Sequence, residues 1–308
     1  MHTIEVRERM DQAEVSAISR LLLAVSLADG HAPLGEHNWL DLVQGGRAGH
    51  VAVLAKSRAT GQLIGYAQVS RGHGSWALEY SVHPRYRSSG REIGEDLVRA
   101  ALSQVSRGGG GHVHLWVPKP DAAADQVASS NGLTRGRDLL QLRRPLPAAA
   151  PPPGPRLRAF RPGRDEEAWL ELNNRAFAWH PEQGGWDRDI LARRQAENWF
   201  DPEGFLLAED DGHLVGFCWT KVHDEAEPPL GEIYVVAVAP EARGRGLGRF
   251  LVLSGLRFLS DRRLGVAMLY VDASNATARK LYDELGFTVD HLDRAYVADV
   301  EPIPAEGD

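Results

Sequence analysis

The chain carries an internal repeat, and no other feature limits its possible folds as much. Gly61-Gln-Leu-Ile-Gly-Tyr-Ala-Gln-Val-Ser70 parallels Gly212-His-Leu-Val-Gly-Phe-Cys-Trp-Thr-Lys221, Tyr80-Ser-Val-His-Pro84 parallels Val236-Ala-Val-Ala-Pro240, and Asn131-Gly-Leu133 parallels Leu285-Gly-Phe287. Chance can supply any one of these matches. Three in the same order, at a spacing of roughly 150 residues or about one domain length, favour a tandem duplication. Between the halves runs Arg144-Pro-Leu-Pro-Ala-Ala-Ala-Pro-Pro-Pro-Gly-Pro155, whose prolines can continue neither a helix nor a central strand. The sequence therefore divides into a first domain, 1–144, a linker, 145–155, and a second domain, 156–308. A length of 308 residues suits two domains.

Each half follows one pattern: helix, strands joined by a Gly-containing hairpin, a long strand, helix, strand, helix, strand. In the second half the helices are expected near Glu166–Ala178, Leu247–Leu259 and Asn275–Leu285, the last stopped by Gly286. Strands are expected around Gly204–Glu209, Leu214–Lys221, Gly231–Val238 and Val266–Val271. The fold class is α/β (α+β), with two tandem domains that each hold a bent mixed sheet flanked by helices.

Composition narrows the function. A net charge of −7 argues against nucleic acid or an anionic membrane as the main partner. Cys218 is the single cysteine, so no intramolecular disulfide and no Cys-based zinc site can form; within an apolar strand it is expected to be a packed thiol. His112 and His114 share one strand face without a third ligand, and no metal is expected. With neither an apolar leader nor a membrane-length apolar run, a cytoplasmic location is the expectation.

Chemistry concentrates in Gly231-Glu-Ile-Tyr-Val-Val-Ala-Val-Ala-Pro-Glu-Ala-Arg-Gly-Arg-Gly-Leu-Gly-Arg249, a strand that enters an Arg/Gly turn and then a helix. Gly244, Gly246 and Gly248 permit tight turns that let several amides converge on one anion at a helix start, and Arg243, Arg245 and Arg249 add positive charge. The turn has no Gly-Lys-Ser/Thr, and no acidic partner follows it as in a dinucleotide-binding unit. At Arg243-x-x-Gly246-x-Gly248 it resembles the pyrophosphate-binding motif of the GNAT superfamily of acyl-CoA-dependent N-acyltransferases.

Acyl transfer to an amine needs a base, an oxyanion site and a proton for the leaving thiolate. Glu232, at the start of the strand, is the candidate base, and the N–H near Val236 the candidate oxyanion donor. Tyr282 is the candidate acid, as the equivalent tyrosine is in GNAT enzymes. Aligned on Pro84 and Pro240, Glu232 falls opposite Trp76; aligned on Gly132 and Gly286, Tyr282 falls opposite Ala128. The first half therefore lacks both groups, and Glu92 occupies the last small position of its turn.

Over nearly its full length the chain is similar to the mycothiol synthase family of tandem GNAT enzymes, which acetylate the cysteinyl amine of cysteinyl-glucosaminyl-inositol. The most specific part of the likeness is Phe177-Ala-Trp-His-Pro-Glu-Gln-Gly-Gly-Trp186, and it continues through Leu269-Tyr-Val-Asp-Ala-Ser-Asn-Ala-Thr-Ala278. The resemblance implies acetyl-CoA on Val236, Ala237, Val238, on Arg243, Gly244, Arg245, Gly246, Leu247, Gly248, Arg249, and on Asn275, Ala276, Thr277, Ala278, Arg279, Lys280. It implies acceptor contacts at Glu36, Glu182, Lys221, Glu232 and Tyr270. A second acetyl-CoA in the first domain would lie near Tyr80, Ser81, Val82, Ser88, Ser89, Gly90, Arg91, Glu92 and Ile93. A small-molecule amine acceptor and a monomer are expected. Two alternatives stay open: a tandem GNAT acting on an aminoglycoside or protein amine, and an acyl-CoA-binding module without turnover.

Overall fold

The computed structural model of the protein describes residues 1–43, 49–72, 74–87, 91–178 and 183–303. The chain forms two compact units, one of Met1–Leu139 with the segment from Leu292 onward, the other of Leu140–His291. The segment from Leu292, assigned by sequence to the second half, groups with the first unit because its strand pairs there.

In the first unit β1 (His2–Arg7) is followed by α1 (Gln12–Asp29), α2 (Glu36–Val43), β2 (His50–Ser57), β3 (Leu63–Arg71) and β4 (Trp76–Val82). Then come α3 (Arg91–Arg107), β5 (Gly111–Pro118), α4 (Ala122–Ser130) and β6 (Thr134–Pro145), whose residues from Leu140 on belong to the second unit. Strands β1 to β4 are antiparallel neighbours and β4 pairs with β5 in parallel. Asp11 starts α1 with a capping box to Glu14, and Gly30, at φ 70°, ends it. One core joins Leu78, Leu97, Val113 and Tyr296; another joins Ile18, Leu42, Leu54 and Tyr66.

The second unit runs β7 (Arg156–Ala159), α5 (Glu166–Ala176), α6 (Arg188–Gln195), β8 (Phe205–Asp210), β9 (His213–His223) and β10 (Leu230–Val238). It continues through α7 (Leu247–Asp261), β11 (Val266–Asp272), α8 (Ala276–Glu284) and the start of β12 (Thr288–Val300), whose residues from Leu292 on belong to the first unit. Strands β7 to β10 are antiparallel neighbours and β10 pairs with β11 in parallel. Asp211 and Gly212, at φ 48° and 79°, form the two-residue loop between β8 and β9, the left-handed pair that matches strand twist. Its core is aromatic: Trp169 is fully buried, and Phe205 stacks on Trp219 at 4.2 Å between centroids. Gly286 ends the α8 region at φ 79°, as expected.

Each unit takes its strand beyond the parallel pair from the other half of the sequence. In the first unit, β12 pairs antiparallel with β5 from Asp293↔Pro118 to Val300↔Gly111; in the second, β6 neighbours β11. The mixed α/β class and the repeated strand and helix order agree with the sequence. The exchange of end strands does not follow from the repeat, because a duplication would leave each copy its own last strand. Among the described residues no helix is long and apolar enough to cross a membrane.

Candidate active site

β10 is paired on both sides only at its start. Its parallel ladder covers Leu230–Glu232 against Val266–Met268 and stops, although β11 runs on to Asp272. On the β9 side pairing continues, with a bulge between Ile233 and Val235 that inserts Tyr234 on the β10 side of the ladder. A bulge adds a residue and bends its strand. The Ala239 amide donates to the Val215 carbonyl, so by antiparallel alternation the amides of Val236 and Val238 face away from β9. They line the edge where β10 and β11 part, which is where the sequence put the oxyanion donor.

The bulge also decides which face holds Glu232. Glu232 is opposite Lys221 and Val235 opposite Trp219, whereas Ile233 is opposite Thr220 and Val236 opposite Cys218. Opposed residues share a face, so Glu232, Lys221 and His223 lie on one face and Cys218, Thr220 and Ile233 on the other. α7 covers the second face: a Cβ on its Gly255 would meet Cys218 Sγ at 2.6 Å and Ile233 Cδ1 at 2.8 Å.

Glu232 is 6% exposed, and its Oε2 lies 2.7 Å from His223 Nε2. The other ring nitrogen of His223 lies 3.3 Å from Glu225 Oε1. Burial pulls the imidazole pKa down, but the hydrogen bond and charge of Glu232, with Glu225, outweigh burial and the opposing Lys221 charge, and raise it. Lys221 Nζ sits 4.5 Å from the Trp199 ring centroid and 5.6 Å from that of Tyr234. Tyr270 is 39% exposed and accepts from Gln141 Nε2 at 2.7 Å.

Tyr282 is buried in α8 and meets Phe287 edge-on. Burial, with a smaller electrostatic contribution from Cys218, raises its phenol pKa, so the phenol is protonated at neutral pH. Leu281 of α8 lies against Gly248 of α7, which sets the helix of Tyr282 beside α7, the helix that covers the face opposite to Glu232. Cys218 is the packed thiol expected from the sequence, pushed up to about 12 by burial.

The Arg/Gly turn ends in Gly246, the left-handed N-cap of α7, with no side-chain cap. Among the described residues, the amides of residues 244 to 249 donate to no protein acceptor; Phe250 is the first to bond back, to the Gly246 carbonyl. Such a run of free amides at a helix start forms an anion-binding nest. Arg243 donates to the Ala176 carbonyl, Arg245 pairs with Asp210 at 2.6 Å, and Arg249 pairs with Glu284. Leu281 of α8 borders Gly248, which brings the helix of Tyr282 against the turn. Asn275 caps α8 by accepting from the Ala278 amide, and Arg279 donates to the Ala273 carbonyl.

The first unit repeats this design incompletely. Its parallel ladder also stops early, after Leu78↔Leu115, but β3 and β4 pair without a bulge from Gly65↔Val82 to Arg71↔Trp76. Matching Gly65 and Val82 to Gly216 and Val238 sets Glu232 against Ala77, one residue from the Trp76 expected by sequence; the bulge supplies the extra residue. Ala77 is no more a base than Trp76. Arg87, at the position of Arg243, is held by Asp29 through two hydrogen bonds of 2.5 and 2.7 Å. Ser81, Val82 and Ile93 are buried, Tyr80 packs near Gly94, and Glu92 is exposed. Ser88, Ser89, Gly90 and Glu182 lie outside the described residues, as do the side chains of Glu36 and Arg91. His223 escaped the sequence reading; the signal was its place two residues beyond Lys221, on the same face and diagonal to Glu232.

The family model described as Acetyltransferase (GNAT) family matches residues 167–287. The chain is 47% identical over 293 residues to the mycothiol acetyltransferase of Thermobispora bispora, covering 93% of this chain and 96% of that one. It is 42% identical over 300 residues to that of Acidimicrobium ferrooxidans, covering 95% and 96%. Among solved structures it is similar to a GCN5-related N-acetyltransferase from Sphaerobacter thermophilus, with TM-score 0.70, 27% identity and coverage of 97% and 96%. A tandem GNAT protein from the clavulanic acid biosynthesis pathway shares the fold, with TM-score 0.74 at 15% identity over 98% of this chain and 100% of that one. With identity of this order along nearly its whole length, the chain belongs to the mycothiol acetyltransferase family, acetyltransferases built on two tandem GNAT folds.

Proposed function

We propose that the protein transfers an acetyl group from acetyl-CoA to the cysteinyl amine of cysteinyl-glucosaminyl-inositol, forming mycothiol, and that the second unit alone runs the chemistry. The observation that carries the reading is the open edge of β10, with Val236 and Val238 amides on it, Glu232 on one face and the helix of Tyr282 beside α7, which covers the other. The fit for acetyl-CoA rests on the free amides of residues 244 to 249, which suit a pyrophosphate and leave the Arg245 and Arg249 guanidinium groups to exchange their carboxylate partners for phosphate. When bound, the cofactor supplies an activated acetyl thioester.

Glu232 takes the proton of the acceptor ammonium, so that the amine nitrogen attacks the thioester carbon with its lone pair. The Val236 amide holds the resulting oxyanion. As the tetrahedral intermediate collapses, Tyr282 gives its proton to the departing thiolate and the nitrogen gives up its second proton, which restores the phenol; its place on the α7 side keeps the incoming amine and the leaving sulfur apart. Lys221 and Tyr270 offer the sugar hydroxyls a cation and a phenol, charge-assisted bonds being the stronger. Glu36 and Glu182 enter the proposal from the sequence resemblance alone, as do a second acetyl-CoA in the first unit, a monomeric state and a cytoplasmic location.

The test is mass-spectrometric product analysis with acetyl-CoA and cysteinyl-glucosaminyl-inositol, beside an aminoglycoside and a lysine peptide. Acetylation of the cysteinyl amine alone is expected. Acetylation of another amine in preference overturns the acceptor, and no product from any acceptor overturns turnover itself. Glu232→Gln and Tyr282→Phe are expected to lower kcat with little change in acetyl-CoA affinity, since both groups act in the transition state. Full turnover in the double variant refutes the roles.

A further inference from the structure

Glu232 is the carboxylate that would meet the acceptor ammonium, and carboxylates as a class are weak bases, with a reference pKa of about 4.3. The structure places behind it a group of better-matched basicity. We propose that His223 is a positioning residue and the final proton acceptor of the reaction, taking by way of Glu232 the proton that the acceptor ammonium gives up. This rests on Glu232 being the base.

The geometry is a chain of three groups: Glu232 Oε2, then His223 Nε2 at 2.7 Å, then His223 Nδ1 with Glu225 Oε1 at 3.3 Å. Exposure rises along it, from 8% for the Glu232 side chain through 19% for His223 to 79% for Glu225. The proton therefore has a path from the buried carboxylate outward to solvent. The charged groups facing the imidazole are Glu232 from β10, Glu225 from the loop after β9, and Lys221 from β9 itself. Two carboxylates flank the ring, one on each nitrogen, so imidazolium is the charge this site favours, and the ring's pKa is raised.

The step balances as one proton moved. Above the raised pKa of the ring, the pair begins as neutral imidazole and carboxylate, with net charge −1. An ammonium N–H bond breaks, the nitrogen keeps its electron pair for attack, and the proton reaches Glu232 and passes to the imidazole. The pair ends as imidazolium and carboxylate, with net charge zero, and sheds the proton to solvent on the Glu225 side. Proton uptake thus follows the coupled pair and falls in the imidazole range. Glu232 supplies the contact and His223 the basicity.

The experiment is kcat against pH, read as product by mass spectrometry, for the full-length wild type, His223→Gln and Glu232→Gln. kcat is the right quantity because it reports groups in the enzyme–substrate complex. Wild type should lose activity with an acidic limb in the imidazole range. His223→Gln keeps a hydrogen-bond donor near Glu232 but cannot titrate, so the limb should leave that range and the plateau fall by about tenfold or more, with acetyl-CoA KM unchanged. An unshifted limb with kcat within about twofold of wild type, beside an inactive Glu232→Gln, overturns the relay while sparing the base. A Glu232→Gln enzyme that turns over normally overturns both. Should His223→Gln fail to fold, proton NMR of the wild-type imidazole carries the test: His223 must titrate with the midpoint of the kcat limb, and a different midpoint refutes the relay.

Discussion

The three-glycine turn permits a test in which two neighbouring glycines respond with opposite sign. Gly246 sits at φ 79° with no atom within 4 Å of where a Cβ would stand. Gly246→Ala therefore meets no steric obstacle, and its cost is the backbone term alone, about 1–2 kcal/mol for an L-residue held left-handed. The stiffer unfolded chain returns about 0.4–1 kcal/mol, so the net loss is about 1 kcal/mol. Gly248 is an ordinary helical residue in the first turn of α7, and an added Cβ meets only Leu281 Cδ2, at 3.5 Å. Gly248→Ala should then gain about 0.5–1 kcal/mol from helix propensity. The two variants are separated by about 2 kcal/mol, or about 4–8 °C in Tm for a unit of this size. Thermal unfolding without cofactor measures this gap. Isothermal titration with acetyl-CoA adds a second reading: the strained Gly246→Ala turn misaligns the amides after it, and about tenfold of affinity, or about 1.4 kcal/mol, should go. Equal destabilisation by both substitutions, or a Gly248→Ala protein less stable than Gly246→Ala, would refute the assignment of the left-handed backbone as what Gly246 is for.

Asp165, almost wholly buried, accepts from both Arg158 and Arg161; burial alone would raise its pKa, yet those guanidinium groups hold it well below the usual carboxylate range. With the folded pKa depressed, its stabilisation is full above the unfolded value of about 3.9 and drains away as pH falls below it. Asp165→Asn should cost about 3 kcal/mol in urea unfolding at neutral pH and flatten the acid side of the stability profile. Gly255→Ala should destabilise by about 1–3 kcal/mol through overpacking, and Cys218→Ala, which removes the sulfur 2.6 Å from the new Cβ, should recover part of that loss in a double-mutant cycle. Native Cys218 should resist alkylation at neutral pH, because its thiol is buried and its pKa is pushed up to about 12; rapid labelling of folded protein contradicts the packing described. Arg245→Ala should change Tm little, since the Asp210 pair it breaks is exposed and worth at most about 1 kcal/mol, yet weaken acetyl-CoA binding.

Local features were legible where one residue decides the outcome. Asp211-Gly212 gives the β8–β9 hairpin, Gly286 stops α8, and Gly246 turns the chain into α7. Long-range features were not. Nothing in the spacing of apolar residues tells β12 to pair with β5, because strand partners depend on edges left open elsewhere in the fold. His223 was hidden for a related reason: it is nine residues from Glu232 in sequence, and only the β9–β10 register turns that separation into a contact. The Pro-rich stretch marks a break in secondary structure, whereas the compact units divide within β6, between Leu139 and Leu140, since a strand can pass from one unit to the next without a linker.

The bulge at Tyr234 shows how far one residue can separate two copies of a fold. Strict alternation along β10 would put Glu232 on the same face as Val236 and Val238, the face that α7 covers, because side chains repeat every two residues. The inserted residue reverses the face of everything before it. Glu232 joins Lys221 and His223, and Ile233 takes the position under α7 beside Cys218 and Thr220. In the first unit β4 has no such insertion, its ladder with β3 is unbroken, and Ala77 occupies the place of Glu232. Substituting Glu at that place would still leave the first unit without a tyrosine where Ala128 stands and with Arg87 engaged by Asp29. On the roles proposed for Glu232 and Tyr282, the first unit differs at base, acid and anion turn together, and introducing any one of them there alone should give that unit no turnover.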